Sequence, residues 1–267
     1  MSASLVAAVQ MVSGPDVARN CADAGRLVAE AARRGAALVV LPEYFPLMGM
    51  SERDKIAASE PEGEGPIQRF LAETAARHGV WLVGGSVPLA VANPDKVSNS
   101  CLVFDPSGSR VARYDKVHLF DYDDGVQSYK ESETIEPGSR VSVFEAPLGR
   151  IGLSICYDLR FPELYRAMGV VDLIVVPAAF TYTTGQAHWE LLLRARAVEN
   201  QCYVVSSAQG GHHANGRVTY GHSMIVDPWG EVLDRLDSGP GLVAAPIDRE
   251  RLEAIRRRLP ALAHRRM

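Results

Sequence analysis

Three side chains suited to attack on a carbonyl stand just beyond apolar runs in this 267-residue sequence: Glu43 after ALVVLP, Lys116 after VARYD and Cys156 after RIGLSI. Taken singly, each has an ordinary reading. A carboxylate after a strand is usually a solvated loop residue, a lysine a surface charge and a lone cysteine a small buried hydrophobe. Together they supply a nucleophile, a base to take its proton and a positive group where an oxyanion develops. That combination points to a cysteine hydrolase or acyl transferase. Pro162, in the stretch DLRFPEL, reads as the first residue of a helix. The positive end of that helix is expected near the Cys156 sulfur, where it would favour the thiolate.

The elements that must position these groups follow a repeated programme. Residues 5–11 read as a strand, an Ala-rich helical stretch ends at Gly35, and residues 37–41 read as the next strand. A helix over 67–78, stopped by Gly79, precedes a strand over 81–87 and two strands around the turn DPSG at 105–108. The second half runs likewise: strand 150–155, helix 162–169, strand 171–176, helix 188–199, strand 202–207 and a hairpin at the turn DPWG, 227–230. This is an internal duplication too long in period for a solenoid. Two such halves imply two sheets, each with helices on one face and its partner sheet on the other. The expected fold is therefore α/β, a four-layer α-β-β-α sandwich, with residues 1–267 as a single domain. Ligands of open α/β sheets bind beyond the carboxyl ends of strands, which is where Glu43 and Cys156 stand.

Composition narrows the class. A hydrophobic fraction of 47% and a charged fraction of 22% are those of an ordinary globular domain. The formal charge of −4 argues against nucleic acid as a partner, and the basic cluster of Arg256, Arg257, Arg258, Arg265 and Arg266 reads as a solvated helix end. The apolar run 5–12 is far shorter than the roughly 20 residues needed to span a bilayer, so it reads as a buried strand rather than a membrane segment or export signal. Cys21, Cys101, Cys156 and Cys202 stand far apart without metal-ligand spacing. They read as free thiols in a reducing, cytoplasmic setting, with no metal and no cofactor required.

The motifs LPEYF, YDKVHLFD and SICYDLRFPELYR, in this order, resemble the three catalytic motifs of the nitrilase superfamily of carbon-nitrogen hydrolases. The resemblance covers nearly the whole chain and implies the same α-β-β-α sandwich with a Glu-Lys-Cys triad. It implies Glu43 as general base and acid, Lys116 as oxyanion stabiliser and Cys156 as nucleophile. A second glutamate of the family falls on Glu131, in YKESETIEPG, where it would orient Lys116 and the substrate. The implied reaction proceeds through a thioester, with Lys116 and the N–H of Tyr157 holding the oxyanion and ammonia leaving. The residues CYDLRFPEL depart from the Cys-Trp-Glu of true nitrilases and resemble the amidase branch. Within it, AHWELLLRARAVENQCYVV and YGHSMIVDPWG are more similar to the type acting on deaminated glutathione than to the ω-amidase type acting on α-ketoglutaramate.

The implied partner is thus a small-molecule amide, and the family resemblance also implies a homodimer formed through helices near the nucleophile. An α-keto acid amide presents a carboxylate that an arginine holds well, and Arg160 is the first candidate. Its alternative reading is a structural partner of Asp158 or Glu163. Thr184, His188 and the loop Gly210-Gly211-His212-His213 are further candidates to line the pocket, followed by Arg217 and Tyr220, although paired exposed histidines are often simply solvated. Two rival classes stand beside the amidase reading: a Cys-His hydrolase with His118 as base, and a catalytically silent binding protein on the same scaffold.

Overall fold

The computed structural model describes residues 4–123, 125 and 128–266. Its first half opens with strand β1 (Ser4–Gln10), helix α1 (Val17–Arg33) and strand β2 (Ala36–Val40). Asp16 starts α1 because its carboxylate accepts the Arg19 N–H, which would otherwise lack a partner. Asn20, Ala24, Leu27, Val28 and Ala31 then recur at helical spacing and form the buried stripe. A short helix α2 (Asp54–Ala57) leads to α3 (Pro66–His78), which ends where Gly79 turns left-handed at φ 62°. Strands β3 (Trp81–Val83), β4 (Val87–Ala90), β5 (Val97–Phe104) and β6 (Arg110–Asp115) follow.

The single strand expected over 81–87 is broken into β3 and β4. Gly85 adopts φ 58°, and a Cβ there would lie 2.1 Å from the carbonyl oxygen of Pro42. Only glycine permits that approach, and it brings Ser86 beside the turn carrying Glu43, where the Ser86 hydroxyl accepts the Tyr44 N–H at 3.0 Å.

A small hairpin of β7 (Asp121–Asp123) and β8 (Ser128–Lys130) and the short helix α4 (Glu131–Thr134) separate the halves. The second half contains β9 (Ser142–Ala146), β10 (Gly149–Leu153), a 3-10 turn (Cys156–Arg160), α5 (Pro162–Ala167), β11 (Leu173–Ala178), α6 (Tyr182–Asn200) and β12 (Tyr203–Ala208). Helix α6 starts earlier than its apolar pattern suggests because Thr181 caps it, accepting the Thr184 N–H. A hairpin of β13 (Gly210–His212) and β14 (Val218–Tyr220) precedes β15 (Met224–Val226) and β16 (Val232–Arg235). The chain then returns to the first sheet as β17 (Gly241–Ile247) before helix α7 (Arg249–Arg258).

Pairing bears out the duplication. In the first sheet β17, β1, β2 and β3 lie side by side, β3 and β4 share one edge of β5, and β6 takes its other edge. The second sheet runs β9, β10, β11, β12, β15, β16. Strand senses match position by position: antiparallel at the β17–β1 and β9–β10 pairs, parallel through β1–β2–β3 and β10–β11–β12, antiparallel beyond. Alternation along β1 divides the core. Ala7 and Val9 join the apolar cluster under α1 and α3, whereas Val6 and Ala8 face the second sheet in the cluster that also holds Trp189, Leu193 and Ala197 of α6. The layers are therefore helix, sheet, sheet, helix.

Candidate active site

Each candidate group emerges where a strand ends. Glu43 stands three residues past β2, and the following Tyr44 is left-handed at φ 56°. Cys156 stands three residues past β10 and is itself left-handed at φ 50°. Such a conformation in a residue with a side chain costs about 1–3 kcal/mol and persists only where surroundings hold it. Here the holder is the fully buried Asp158. Its carboxylate accepts from Ile155 N–H (2.9 Å), Tyr114 O–H (2.7 Å) and His118 N–H (3.0 Å), with His118 Nδ1 at 2.7 Å. The carbonyl of Leu159, in the same turn, accepts twice from Arg196 of α6.

Lys116, the residue after β6, lies with its ammonium between two carboxylates. Nζ donates to Glu43 Oε1 at 2.9 Å and to Glu131 Oε1 and Oε2 at 2.9 and 2.7 Å. All three are buried, Lys116 completely, as is Cys156 at 7% exposure. Asn99 of β5 donates to Glu43 Oε1 at 3.0 Å, and the Glu43 charge acts on the Cys156 thiol. Glu131, at the head of α4, also accepts the Phe120 N–H at 2.7 Å and the Tyr44 hydroxyl at 2.8 Å.

These surroundings separate the two acids. Burial pushes the Glu43 carboxyl above its ordinary value even though Lys116 pulls the other way. Burial also disfavours the Glu131 charge, but the closer Lys116 contacts and the Phe120 N–H outweigh it and hold that carboxyl low. Lys116 is raised despite its burial, since Glu131 and Glu43 stabilise its charge. The thiol of Cys156 is pushed well above its usual value by burial and then by Glu43. The thiolate expected from a nearby helix start is therefore not the resting form. Pro162 does open α5, but that helix has only six residues, and the N–H that meets the sulfur is Ala179's, at 3.5 Å. A resting thiol beside a carboxylate needs the carboxylate to take its proton.

Phe120, Tyr157, Arg160, Ala179, Phe180, Thr181 and Thr184 line the hollow over Cys156. Tyr157, Arg160 and Thr184 are thus among its lining residues, and His188 lies beside one of them, its Nδ1 3.2 Å from Arg160 Nη1. The Arg160 guanidinium lies over the rings of Tyr157 and Phe180. Among the described residues no ion pair joins it to Asp158 or Glu163. His118 is held against Asp158 and stacks on Phe161 at 3.7 Å, which removes the geometry a Cys-His pair would need. Of the two loop histidines only His212 is exposed. His213 is buried between the Ser13 carbonyl and the Thr219 hydroxyl, and burial lowers its pKa. Tyr220 stacks on His222, outside the hollow.

Sequence reasoning missed Tyr44, Asn99, Phe120 and the clamping role of Asp158. Tyr44 and Asp158 adjoin motif residues and so carried a signal. Asn99 and Phe120 reach the site only through strand pairing and chain reversal. Among the described residues no group of three or more His, Cys, Asp or Glu side chains is placed to hold a metal ion, and no helix is long and apolar enough to cross a membrane.

Comparison with known proteins gives one consistent picture. Residues 5–257 match the carbon-nitrogen hydrolase family. The chain is 41% identical to a deaminated glutathione amidase of Yersinia enterocolitica over 98% of its own length and 92% of that protein's. It is 42% identical to Omega-amidase NIT2 of Danio rerio over 100% and 96%. Among solved structures it resembles the C. elegans NitFhit protein with a TM-score of 0.88 at 38% identity, covering all of this chain and 66% of that one.

Proposed function

The chain belongs to the carbon-nitrogen hydrolase family and is an amidase; from that premise we propose that it cleaves deaminated glutathione through a thioester on Cys156. The observation that supports this most strongly is the buried Lys116 ammonium held between Glu43 and Glu131, with the Glu43 charge acting on the buried Cys156 thiol. In the proposed cycle Glu43 takes the thiol proton as the sulfur adds to the amide carbon. The oxyanion forms against Lys116 Nζ and the N–H of Tyr157. Collapse breaks the C–N bond, and Glu43 returns the proton to the departing nitrogen. From a primary amide that product is ammonia, and from deaminated glutathione it is the amine of the Cys-Gly portion. Water then attacks the thioester, Glu43 accepts one of its protons, and the proton passes to the sulfur as the acid leaves. Glu131 keeps Lys116 charged and aimed.

Arg160 is proposed to hold the α-keto carboxylate, since it lines the hollow and its guanidinium rests on aromatic rings. The ω-amidase reading stays beside the first because a relative of that name matches at nearly the same identity. We place the enzyme in the cytoplasm, where its four free cysteines would remain reduced. A homodimer is proposed through the outer face of α6, where Leu191 and Val198 are exposed, together with Trp229. The test is α-keto acid release from deaminated glutathione, α-ketoglutaramate, a plain aliphatic amide and a nitrile on one preparation. Highest catalytic efficiency on deaminated glutathione is expected. A clear preference for α-ketoglutaramate would replace that substrate, and hydrolysis of the aliphatic amide alone would leave only the amidase activity.

A further inference from the structure

A second hollow opens beside Tyr44, the residue after Glu43. Tyr44, Met48, Ser51, Glu52, Lys55 and Arg217 are among its lining residues. Arg217 stands in the segment leading into β14, and its guanidinium stacks on the Tyr129 ring with 4.6 Å to the centroid. Its ion-pair contact with Glu52 is a loose 3.6 Å, while Glu52 pairs closely with Lys55 at 2.6 Å. Lys55 in turn lies over the Tyr44 ring. Two cations of the lining therefore face one carboxylate of the lining, Glu52, while the Glu131 charge acts on both from beyond the Tyr44 hydroxyl.

This hollow is joined to the one over Cys156 by a ladder of rings. Arg160 lies over Tyr157, Tyr157 meets Phe120 edge-on at 5.1 Å, Phe120 meets Tyr129 at 5.6 Å, and Tyr129 carries Arg217. One guanidinium thus stands at each end of an aromatic wall, with the nucleophile beside its middle rung.

The direction of the chemistry assigns the two ends. The acyl half of the substrate becomes bonded to Cys156, whose cavity contains Arg160. The departing nitrogen must lie within hydrogen-bond reach of Glu43, which returns its proton. Tyr44, next in the chain after Glu43, lines the second hollow, and its hydroxyl bonds to Glu131. The amine half accordingly runs past Tyr44 towards Arg217.

We propose that Arg217, supported by Lys55, binds a carboxylate carried on the leaving-group side of the substrate, so that the site is built for an N-substituted amide with an anionic group at each end. This rests on the amidase reading above and makes it specific: deaminated glutathione carries such a carboxylate on its terminal glycine, and α-ketoglutaramate has none. Both guanidiniums sit on ring faces and, among the described residues, lack a tight carboxylate partner, which is the state an arginine needs to accept a carboxylate from a ligand.

The experiment compares deaminated glutathione with the same compound bearing a carboxamide in place of the glycine carboxylate, using wild type, Arg217→Met and Arg217→Lys. In wild type the carboxamide is expected to lower kcat/KM by roughly 10- to 100-fold, mostly through KM, the range for one charge-assisted contact. In Arg217→Met the two compounds should differ by less than about threefold, and Arg217→Lys should restore part of the discrimination. Equal loss on both compounds in Arg217→Met would assign Arg217 a structural role and overturn the proposal. So would a wild type that treats the two alike. Failure of the amidase reading looks different, since wild type would then cleave neither these compounds nor α-ketoglutaramate.

Discussion

The two halves of the molecule share a strand order and do unlike work. Three residues past β10 stands Cys156, and three residues past its counterpart β1 stands Ser13, a buried hydroxyl that donates to the Phe45 carbonyl. Three past β2 is Glu43, while the same distance past β11 is Thr181, which caps α6 and lines the hollow. Lys116 follows β6 directly, and Leu236 follows β16. The duplication repeats a scaffold whose strand ends converge, and the reacting groups arise from which of the two copies carries a chemically capable residue at each end. Folding the sheets face to face then brings an acid and a lysine from one copy to a thiol from the other. The Asp158 clamp crosses the same boundary, tying Tyr114 and His118 of the first half to the nucleophile turn of the second.

If the halves are unequal in this way, chemistry cannot be moved between equivalent positions. Cys156→Ala should lose at least about 10⁴ in kcat, as expected for removal of a covalent nucleophile. Adding Ser13→Cys should restore none of it. Turnover in the double variant, with a mass adduct on position 13, would show the copies to be interchangeable. Lys116→Leu, which gives the first half the residue of the second, should cost about 10²–10³ in kcat because its charge meets an oxyanion absent from the bound ground state. Steady-state kinetics decide this: unchanged kcat with weaker KM would make Lys116 a substrate anchor.

The boundary itself is probed by Asp158→Asn. An amide nitrogen facing those donors replaces one acceptor, so about 1–3 kcal/mol of stability should go. A fall in kcat should accompany it, since the strained Cys156 backbone loses its clamp. Chemical denaturation beside kcat measurement separates the two effects, and a stable variant at full rate would show that the halves dock without this carboxylate.

The smallest effect concerns the two acids that share Lys116. Glu43 must be ionised to take the thiol proton, and burial raises its pKa, so activity is present at higher pH and lost as pH falls through a value above the ordinary carboxylate range. Glu131, held low, stays charged across that window. The acid limb of log kcat/KM should therefore have a slope of about one, roughly tenfold per pH unit. A slope of two would mean both acids titrate together, as a strongly coupled pair does.

Much of this was legible in the chain. Apolar runs closed by Glu43, Lys116 and Cys156 marked three strand ends, and the turns DPSG and DPWG marked the duplication, because hydrophobic periodicity and turn chemistry are local properties. The second half of Trp81–Val87 was misread because its break depends on Gly85 meeting Pro42, a contact between segments far apart in sequence. The thiolate expectation failed for a related reason: a helix start is visible in sequence, but the desolvation and the Glu43 charge that outweigh it exist only once the sheets close over the sulfur. Asn99, Phe120 and the aromatic wall between Arg160 and Arg217 belong to the same class. Sequence by itself determined which residue types stand at which strand ends. Tertiary structure alone decided which of those ends face one another, how dry the space between them is, and hence which proton each group holds, since distance and solvent exclusion are properties of the packed sheets and of no single segment.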